Sequence, residues 1–381
     1  MKLLLFILGY PKLKIKEFFR MLTIKELQVP GYEKVIEAHC DETRMHAFIA
    51  IHDTRLGPAL GGTRFYPYAL PEEALNDVLR LSKAMSYKSA IIQDGLGGGK
   101  SVIIGDPMRD KSEALLSSFA QVLNRLQGRY IAAEDLGTSV EDMLAISKTS
   151  PYVAGLPTEN SCGDPSRFTA HGVFRGLQAV AMTLWGNPSL KGKKILIQGL
   201  GNVGMKVAEL LFWEKADLIV AEVDPLRADK AEHDMGAQVI GPEAVSTYPC
   251  DIFAPCALGG ILNAKTVNKL KCLAVAGGAN NQLETPEQGV ELFERGILYA
   301  PDIITNAGGI IAAATEFEPE GFSPKKARND TDKIYDTLIA LFETSKREKK
   351  PTHIVADEMA EYNLNHGIGK RVLPIQFEMP L

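Results

Sequence analysis

The 381-residue chain has no run of about 18 or more apolar residues, so its sequence offers no membrane-spanning helix. Charge of one sign is missing too: 42 Lys and Arg stand against 47 Asp and Glu, a net charge of −5 with His neutral. That balance lacks the basic excess that phosphate backbones attract, which argues against a nucleic-acid partner. Cysteine is scarce. The five present (Cys40, Cys162, Cys250, Cys256, Cys272) are odd in number and without CxxC spacing. They suggest neither a disulfide framework nor a zinc site, so no metal is expected and the reducing cytosol is favoured. What is present is an ordinary globular composition, 45% hydrophobic and 23% charged, in a length that suits about two domains.

The first twenty residues stand apart. Their short apolar run, residues 3–10, resembles a weak signal peptide, but Pro11 follows at once and Lys12, Lys14, Lys16 and Arg20 crowd its far side. Residues 1–20 are therefore read as an extension or misassigned start, with Met21 opening the first domain. Beyond it, residues 47–52 read as a strand, and Pro71 with Glu72 and Glu73 opens an apolar-faced helix. Asp110 with Glu113 reads as the capped start of a helix that stops at Gly128. Residues 130–133 read as a buried strand running into Glu134 and Asp135. From about Lys193 the rhythm is regular, with strands expected at 194–198, 218–223, 237–240, 251–254, 273–276 and 297–299. Strands alternating with helices imply an α/β chain with a parallel sheet covered on both faces. The two domains are expected to meet near residues 150–170.

Gly199-Leu200-Gly201-Asn202-Val203-Gly204 has the G-x-G-x-x-G spacing. Alone the pattern is weak, but here it follows a strand (KKILIQ) and opens a helix (VGMKVAELLFW), the context a dinucleotide site requires. The first glycine makes a tight turn, the second admits the pyrophosphate, and the third lets the helix pack closely. Glu222 lies 23 residues after Gly199, where a carboxylate accepts from a ribose 2′-OH and repels a 2′-phosphate. That favours NAD over NADP, with Arg227 nearby keeping the alternative open.

Two lysines are conspicuous. Lys88 ends an apolar helical face, and Lys100 closes GLGGGK before the strand SVII. The run Gly97–Gly98–Gly99 reads as a bend that a substrate or partner domain approaches closely. A lysine beside it, partly desolvated, becomes a usable base near neutral pH. A phosphate loop is excluded, since its spacing needs glycine where Asp94 stands. Asp135 closes the strand YIAAED, at the end of a strand where α/β sites gather; a helix cap before Thr138, Ser139 and Glu141 is the plainer reading. Surface ion pairs are the plainer reading of the two lysines. These residues alone give a nucleotide-dependent two-domain enzyme, not its substrate.

The ordered blocks LGPALGGTR (56–64), MSYK (85–88), GLGGGK (95–100), AEDLGT (133–138), GNVG (201–204), CDIFAPCALGG (250–260), GGANNQL (277–283) and YAPDIITNAGGI (299–310) carry a resemblance. The chain resembles the amino-acid dehydrogenases of glutamate, leucine, phenylalanine and valine, and within them the leucine branch. The resemblance implies a substrate domain over residues 21–155, rejoined by 348–381, and a Rossmann-type NAD domain over 156–347, separated by a cleft. It implies reversible conversion of L-leucine, NAD and water to 4-methyl-2-oxopentanoate, ammonium and NADH. Lys88 would then hold the substrate α-carboxylate, Lys100 would activate water as general base, its pKa lowered by Lys88, and Asp135 would relay a proton. Asn280, Asn281 and Asn306 match positions near the cofactor ribose and nicotinamide, and Thr169 matches a nicotinamide contact. Leu60 stands where the glutamate enzymes have a lysine, and with Gly61, Ala133, Ile310 and Ala313 it matches the side-chain pocket. All are apolar, so a branched aliphatic substrate fits. Family members are commonly homo-oligomers, so self-association is expected.

Three departures from the family pattern stand out. Ala313 replaces a usual valine, enlarging the pocket. The stretch from Ile91 to Gly95 replaces a small-residue run, and Ser166-Arg167-Phe168-Thr169 replaces Ser-Pro-x-Thr at the junction. Other readings of the same residues are a phenylalanine- or valine-preferring relative and a catalytically silent NAD-binding sensor.

Overall fold

The computed structural model describes residues 22–159 and 161–377, so residues 1–20 and the expected start at Met21 lie outside the described residues. The strands form two six-stranded sheets. The first takes β1 (Leu22–Leu27), β2 (Lys34–Cys40), β3 (Met45–Asp53), β4 (Ala59–Tyr66), β5 (Gly97–Ile104) and β6 (Tyr130–Glu134) in the order β1-β2-β3-β5-β4-β6. Pairing is antiparallel from β1 to β5 and parallel through β4 to β6. Alternate residues along β2 and β3 serve opposite faces. Ile36, Ala38, Ala47 and Ile49 pack on Phe119 and Leu123 of α2 (Glu113–Leu126) and Met143 of α3 (Val140–Ser147). Val35, Phe48 and Ala50 pack on Ala74 and Val78 of α1 (Pro71–Ile92).

Three local expectations are corrected here. Ser112, not Asp110, caps α2, its hydroxyl accepting from the Leu115 N–H at 3.2 Å, while Asp110 accepts from the Asp106 N–H at 2.8 Å. The glycines before Lys100 are not a bend but the start of β5; the chain turns at Gly95, whose φ is +75°. Their bareness admits neither substrate nor partner domain. A Cβ on Gly98 would lie 2.0 Å from the Ser86 N, so the glycine lets α1 lie directly on the strand. Asp135 caps no helix, since Ser139 caps α3 in a reciprocal box with Asp142.

The second sheet is parallel throughout. It orders β7 (Lys194–Gln198), β8 (Asp217–Ala221), β9 (Gln238–Val239), β10 (Ile252–Pro255), β11 (Ala274–Val275) and β12 (Leu298–Tyr299) as β12-β11-β10-β7-β8-β9. All six expected strands are present: β7 has the expected bounds, β8 and β10 differ by one or two residues at their ends, and β9, β11 and β12 are shorter. The order reverses between β7 and β10, the crevice at which doubly wound sheets bind nucleotides.

Helices join the two sheets. Leu177 and Val180 of α4 (Ser166–Trp185) share one core with Ile195 and Ile197 of β7 and with Val207 of α5 (Asn202–Trp213). After α6 (Pro225–Met235), α7 (Pro286–Glu294), α8 (Asp302–Thr305) and α9 (Gly308–Thr315), the long α10 (Pro324–Glu348) adds Ile334 and Leu338 to that core. So do Tyr87, Ala90 and Ile91 from the end of α1. The last helix, α11 (Thr352–His366), returns to α1: Tyr87 donates to Glu361 at 2.6 Å, and the Asn363 amide donates to the Ala90 carbonyl at 3.0 Å. Arg371 follows, donating from its guanidinium to the carbonyls of Gly95 and Phe317 and from its backbone to Leu56. Among the described residues no helix is long and apolar enough to cross a membrane.

Candidate active site

A cavity of about 280 Å³ lies between the sheets, and ten of the expected residues line it: Leu60, Gly61, Lys88, Lys100, Ala133, Asp135, Asn280, Asn281, Ile310 and Ala313. The local fold explains the convergence. Gly98 and Lys100 point to the same face of β5, and α1 crosses that face with Ser86 on Gly98, bringing Lys88 into the same space. Strand β4 separates Lys100 from Asp135 and would block them with a side chain at Gly62. A Cβ there would lie 2.7 Å from the Asp135 Cβ and 3.0 Å from the Lys100 Nζ. Gly61 is equally constrained, since its Cβ would sit 1.8 Å from the Gly99 carbonyl oxygen.

Lys100 is 5% exposed and its Nζ lies 3.1 Å from Asp135. The other Asp135 oxygen accepts from the Arg64 Nε at 2.9 Å, and Arg64 also pairs with Asp77 at 2.7 Å. Burial is the main force lowering the Lys100 pKa; Asp135 opposes it and Arg64 adds to it. Arg64 is thus the nearest cation acting against the Lys100 ammonium, with Lys88 the second lysine of the same cavity. Burial pushes Lys88 down to about 8, with Asp302 pulling it up and the mutual repulsion with Lys100 pushing it further down. Burial alone would raise Asp135, but Lys100 and Arg64 hold it below its ordinary value. The resulting cluster is a desolvated amine against an ionised carboxylate.

Lys88 reaches across the cleft to Asn306, donating to its Oδ1 at 2.5 Å. The Asn306 amide in turn donates to the Asn280 Oδ1 at 2.8 Å, and Asp302 accepts from the Asn281 N–H at 2.7 Å. Thr169 sits behind the wall: its hydroxyl donates to the Pro165 carbonyl, and a Cβ on Gly309 would lie 2.7 Å from it, with Pro165 and Gly309 facing the cavity. Arg167 is turned onto the Phe168 ring, 4.7 Å from its centroid. The stretch from Ile91 to Gly95 ends α1 with Gln93 left-handed, and Lys100 is positioned by its pairing with Ala50 on β3.

The glycine-rich loop lies at the sheet's reversal point. Gly199 has φ of +88° and lies against Ala257 across the switch, and a Cβ on Gly204 would stand 2.0 Å from the Gly199 carbonyl oxygen. A Cβ on Gly201, at the N-terminus of α5, would meet nothing within 4 Å, which leaves backbone open to a phosphate. Val203 packs beside Gly278, joining the loop to the Asn280 turn. Glu222 follows β8 and accepts from the N–H groups of Leu200, Val223 and Asp224. Burial would raise its pKa, but those donors hold it low. Arg227 is drawn to Asp224 at 3.3 Å. These residues fit a nicotinamide dinucleotide.

Sequence reading passed over Arg64, Asp77 and Asp302. Arg64 stood in the block LGGTR, but its role comes from Asp77 and Asp135, 13 and 71 residues away.

Comparison with known proteins agrees with this geometry. A family description, Glu/Leu/Phe/Val dehydrogenase, dimerisation domain, matches residues 33–152, and Glutamate/Leucine/Phenylalanine/Valine dehydrogenase matches residues 219–360. Leucine dehydrogenase of Thermoactinomyces intermedius is 46% identical over 331 residues, covering 87% of this chain and 90% of that protein. Valine dehydrogenase of Streptomyces virginiae is 44% identical over 88% of this chain and 94% of its own. The crystal structure of L-tryptophan dehydrogenase from Nostoc punctiforme superposes with a TM-score of 0.79 at 40% identity, over 88% of this chain and 97% of that one. The chain belongs to the Glu/Leu/Phe/Val dehydrogenase family and is an L-amino-acid dehydrogenase.

Proposed function

We propose that the protein catalyses reversible NAD-dependent oxidative deamination of branched-chain L-amino acids, leucine foremost, to the 2-oxo acid and ammonium. The observation that carries this reading is the cavity itself, whose lining combines Lys88, Lys100 and Asp135 with the apolar cluster of Leu60, Ala133, Ile310 and Ala313. A glutamate side chain would bury its second carboxylate against Leu60 without a partner, which is costly. Hydrophobic pockets separate substrates by a methylene through only about 1–3 kcal/mol, so isoleucine and valine also serve.

Lys88, charged, holds the α-carboxylate. Lys100, neutral, takes a proton from the water that attacks the iminium carbon, and Asp135 moves protons between Lys100 and the substrate nitrogen. The bound nicotinamide supplies the hydride acceptor. Asn280, Asn281 and Asn306 would orient its ribose and ring, with Thr169 supporting the wall at Pro165 from behind, and the segment from Gly199 to Gly204 would hold its phosphates. Glu222, kept ionised by three N–H donors, disfavours a 2′-phosphate and so selects NAD. In this reading residues 21–155 and the returning C-terminal segment 348–381 act as the substrate domain and 156–347 as the cofactor domain, and the chain self-associates.

Purified protein with NAD and L-leucine at alkaline pH is expected to generate NADH absorbance. Silence across leucine, isoleucine, valine, phenylalanine and glutamate overturns the reading. Preference for phenylalanine or valine replaces the substrate, and calorimetric binding of leucine and NAD without turnover supports a sensor instead. NADP run in parallel tests Glu222.

A further inference from the structure

We propose that Glu37, His39 and His46 form a binding site for a late divalent transition-metal ion on the first sheet, separate from the cleft. Strands β2 and β3 pair antiparallel with His39 opposite His46, and Glu37 lies two residues from His39 on the same face. The imidazoles stack with centroids 3.9 Å apart at 30°. Both Nε2 atoms reach one oxygen, the Glu37 Oε1, at 3.0 Å from His39 and 3.1 Å from His46. All three candidate ligand atoms lie within 4.8 Å of one another. An ion with bonds of about 2.0–2.2 Å is bridged by such a set with small side-chain rotations.

Two imidazoles and one carboxylate suit zinc, nickel, cobalt or copper rather than magnesium or calcium, which prefer all-oxygen sets. The Phe48 ring, 5.2 Å from His46, gives the site an apolar wall. The His39 side chain is 43% exposed, which leaves an entry path and room for water as a further ligand. Thr23 and Lys25, register partners of His39 and Glu37 on β1, share the face; both are exposed, so the ammonium can turn away into solvent. None of the three ligands lines the cavity, and His46 is four residues along β3 from Ala50, the partner of Lys100, roughly 13 Å at strand rise. The plainer arrangement is a hydrogen-bonded triad, and the test separates the two.

Untagged, chelator-stripped protein is titrated with Ni2+ or Co2+ by calorimetry, beside His39→Ala, His46→Ala and the double variant. The proposal expects one ion per chain with micromolar or tighter affinity, at least a tenfold loss in each single variant, and Co2+ absorption bands that vanish in the double variant. Zinc is expected to raise the melting temperature of the wild type and not of the double variant, because the clip ties β2 to β3. Dehydrogenase activity of the variants serves as the folding control. Equal binding by wild type and double variant, or none by either, overturns the site.

Discussion

Two neighbours of opposite sign surround Lys100, and their balance decides the pH at which it takes a proton. Asp135 favours the ammonium, while Arg64 repels it and holds half of Asp135. Removing the guanidinium in Arg64→Gln ends the repulsion and frees Asp135 to pair with Lys100 alone; both changes raise the Lys100 pKa. The acidic limb of kcat/KM is therefore expected to move to higher pH, and an unmoved limb would remove Arg64 from this positioning role. Lys100→Ala is expected to cost about 10²–10⁴ in kcat while NAD binding persists, read by turnover and by calorimetry. Lys88 must instead keep its proton. Because its pKa in the free protein is about 8, leucine KM is expected to climb as pH rises past that value. Sequence reading found both lysines through their odd settings, an apolar helix end and a glycine run. It could not find Arg64, whose partners, Asp77 on α1 and Asp135 after β6, are brought together only by the packing of helix on sheet.

The β5 glycines show how an element's neighbours determine its residues. Gly98→Ala drives a methyl group into the Ser86 backbone, and the close contact is expected to cost about 1–3 kcal/mol or more, read as a lower urea midpoint. Ser112→Ala should cost about 1 kcal/mol by removing the α2 cap, whereas Asp110→Ala should cost clearly less. The second sheet was legible strand by strand because its short apolar runs alternate with helices. The first sheet was only partly so. β1 (LTIKEL) and β2 (KVIEAHC) carry charges on both faces, Lys25, Glu37 and His39 on one and Glu26 and Lys34 on the other, which hides their period, and a mixed sheet has no repeating crossover to count. The Glu37–His39–His46 set was invisible for the same reason, since its third member arrives by strand register and not by spacing.

Across the whole molecule, the chain leaves the first sheet at α4, builds the second, and comes back through α11 to fasten on its starting point. Arg371 is one fastener of the returning tail, tying Gly95 and Phe317 with one nearly buried guanidinium, and Phe377 packs on Tyr152 beyond it. Arg371→Ala leaves those carbonyls without a donor and is expected to lower stability by about 1–3 kcal/mol, measured by chemical denaturation. Composition and spacing forecast two units and their order, but where the tail docks depends on contacts such as Asn363 with Ala90, separated by 273 residues. The Lys88–Asn306 hydrogen bond belongs to this scale too, since it spans the cleft between the sheets. Under the proposed function, an arriving amino acid meets a lysine already stripped of most of its water and held by an amide oxygen. Binding is then an exchange of one oxygen ligand for another. Much of the lysine's dehydration cost is met during folding, and Asn306 is released toward the nicotinamide at the moment the carboxylate takes its place.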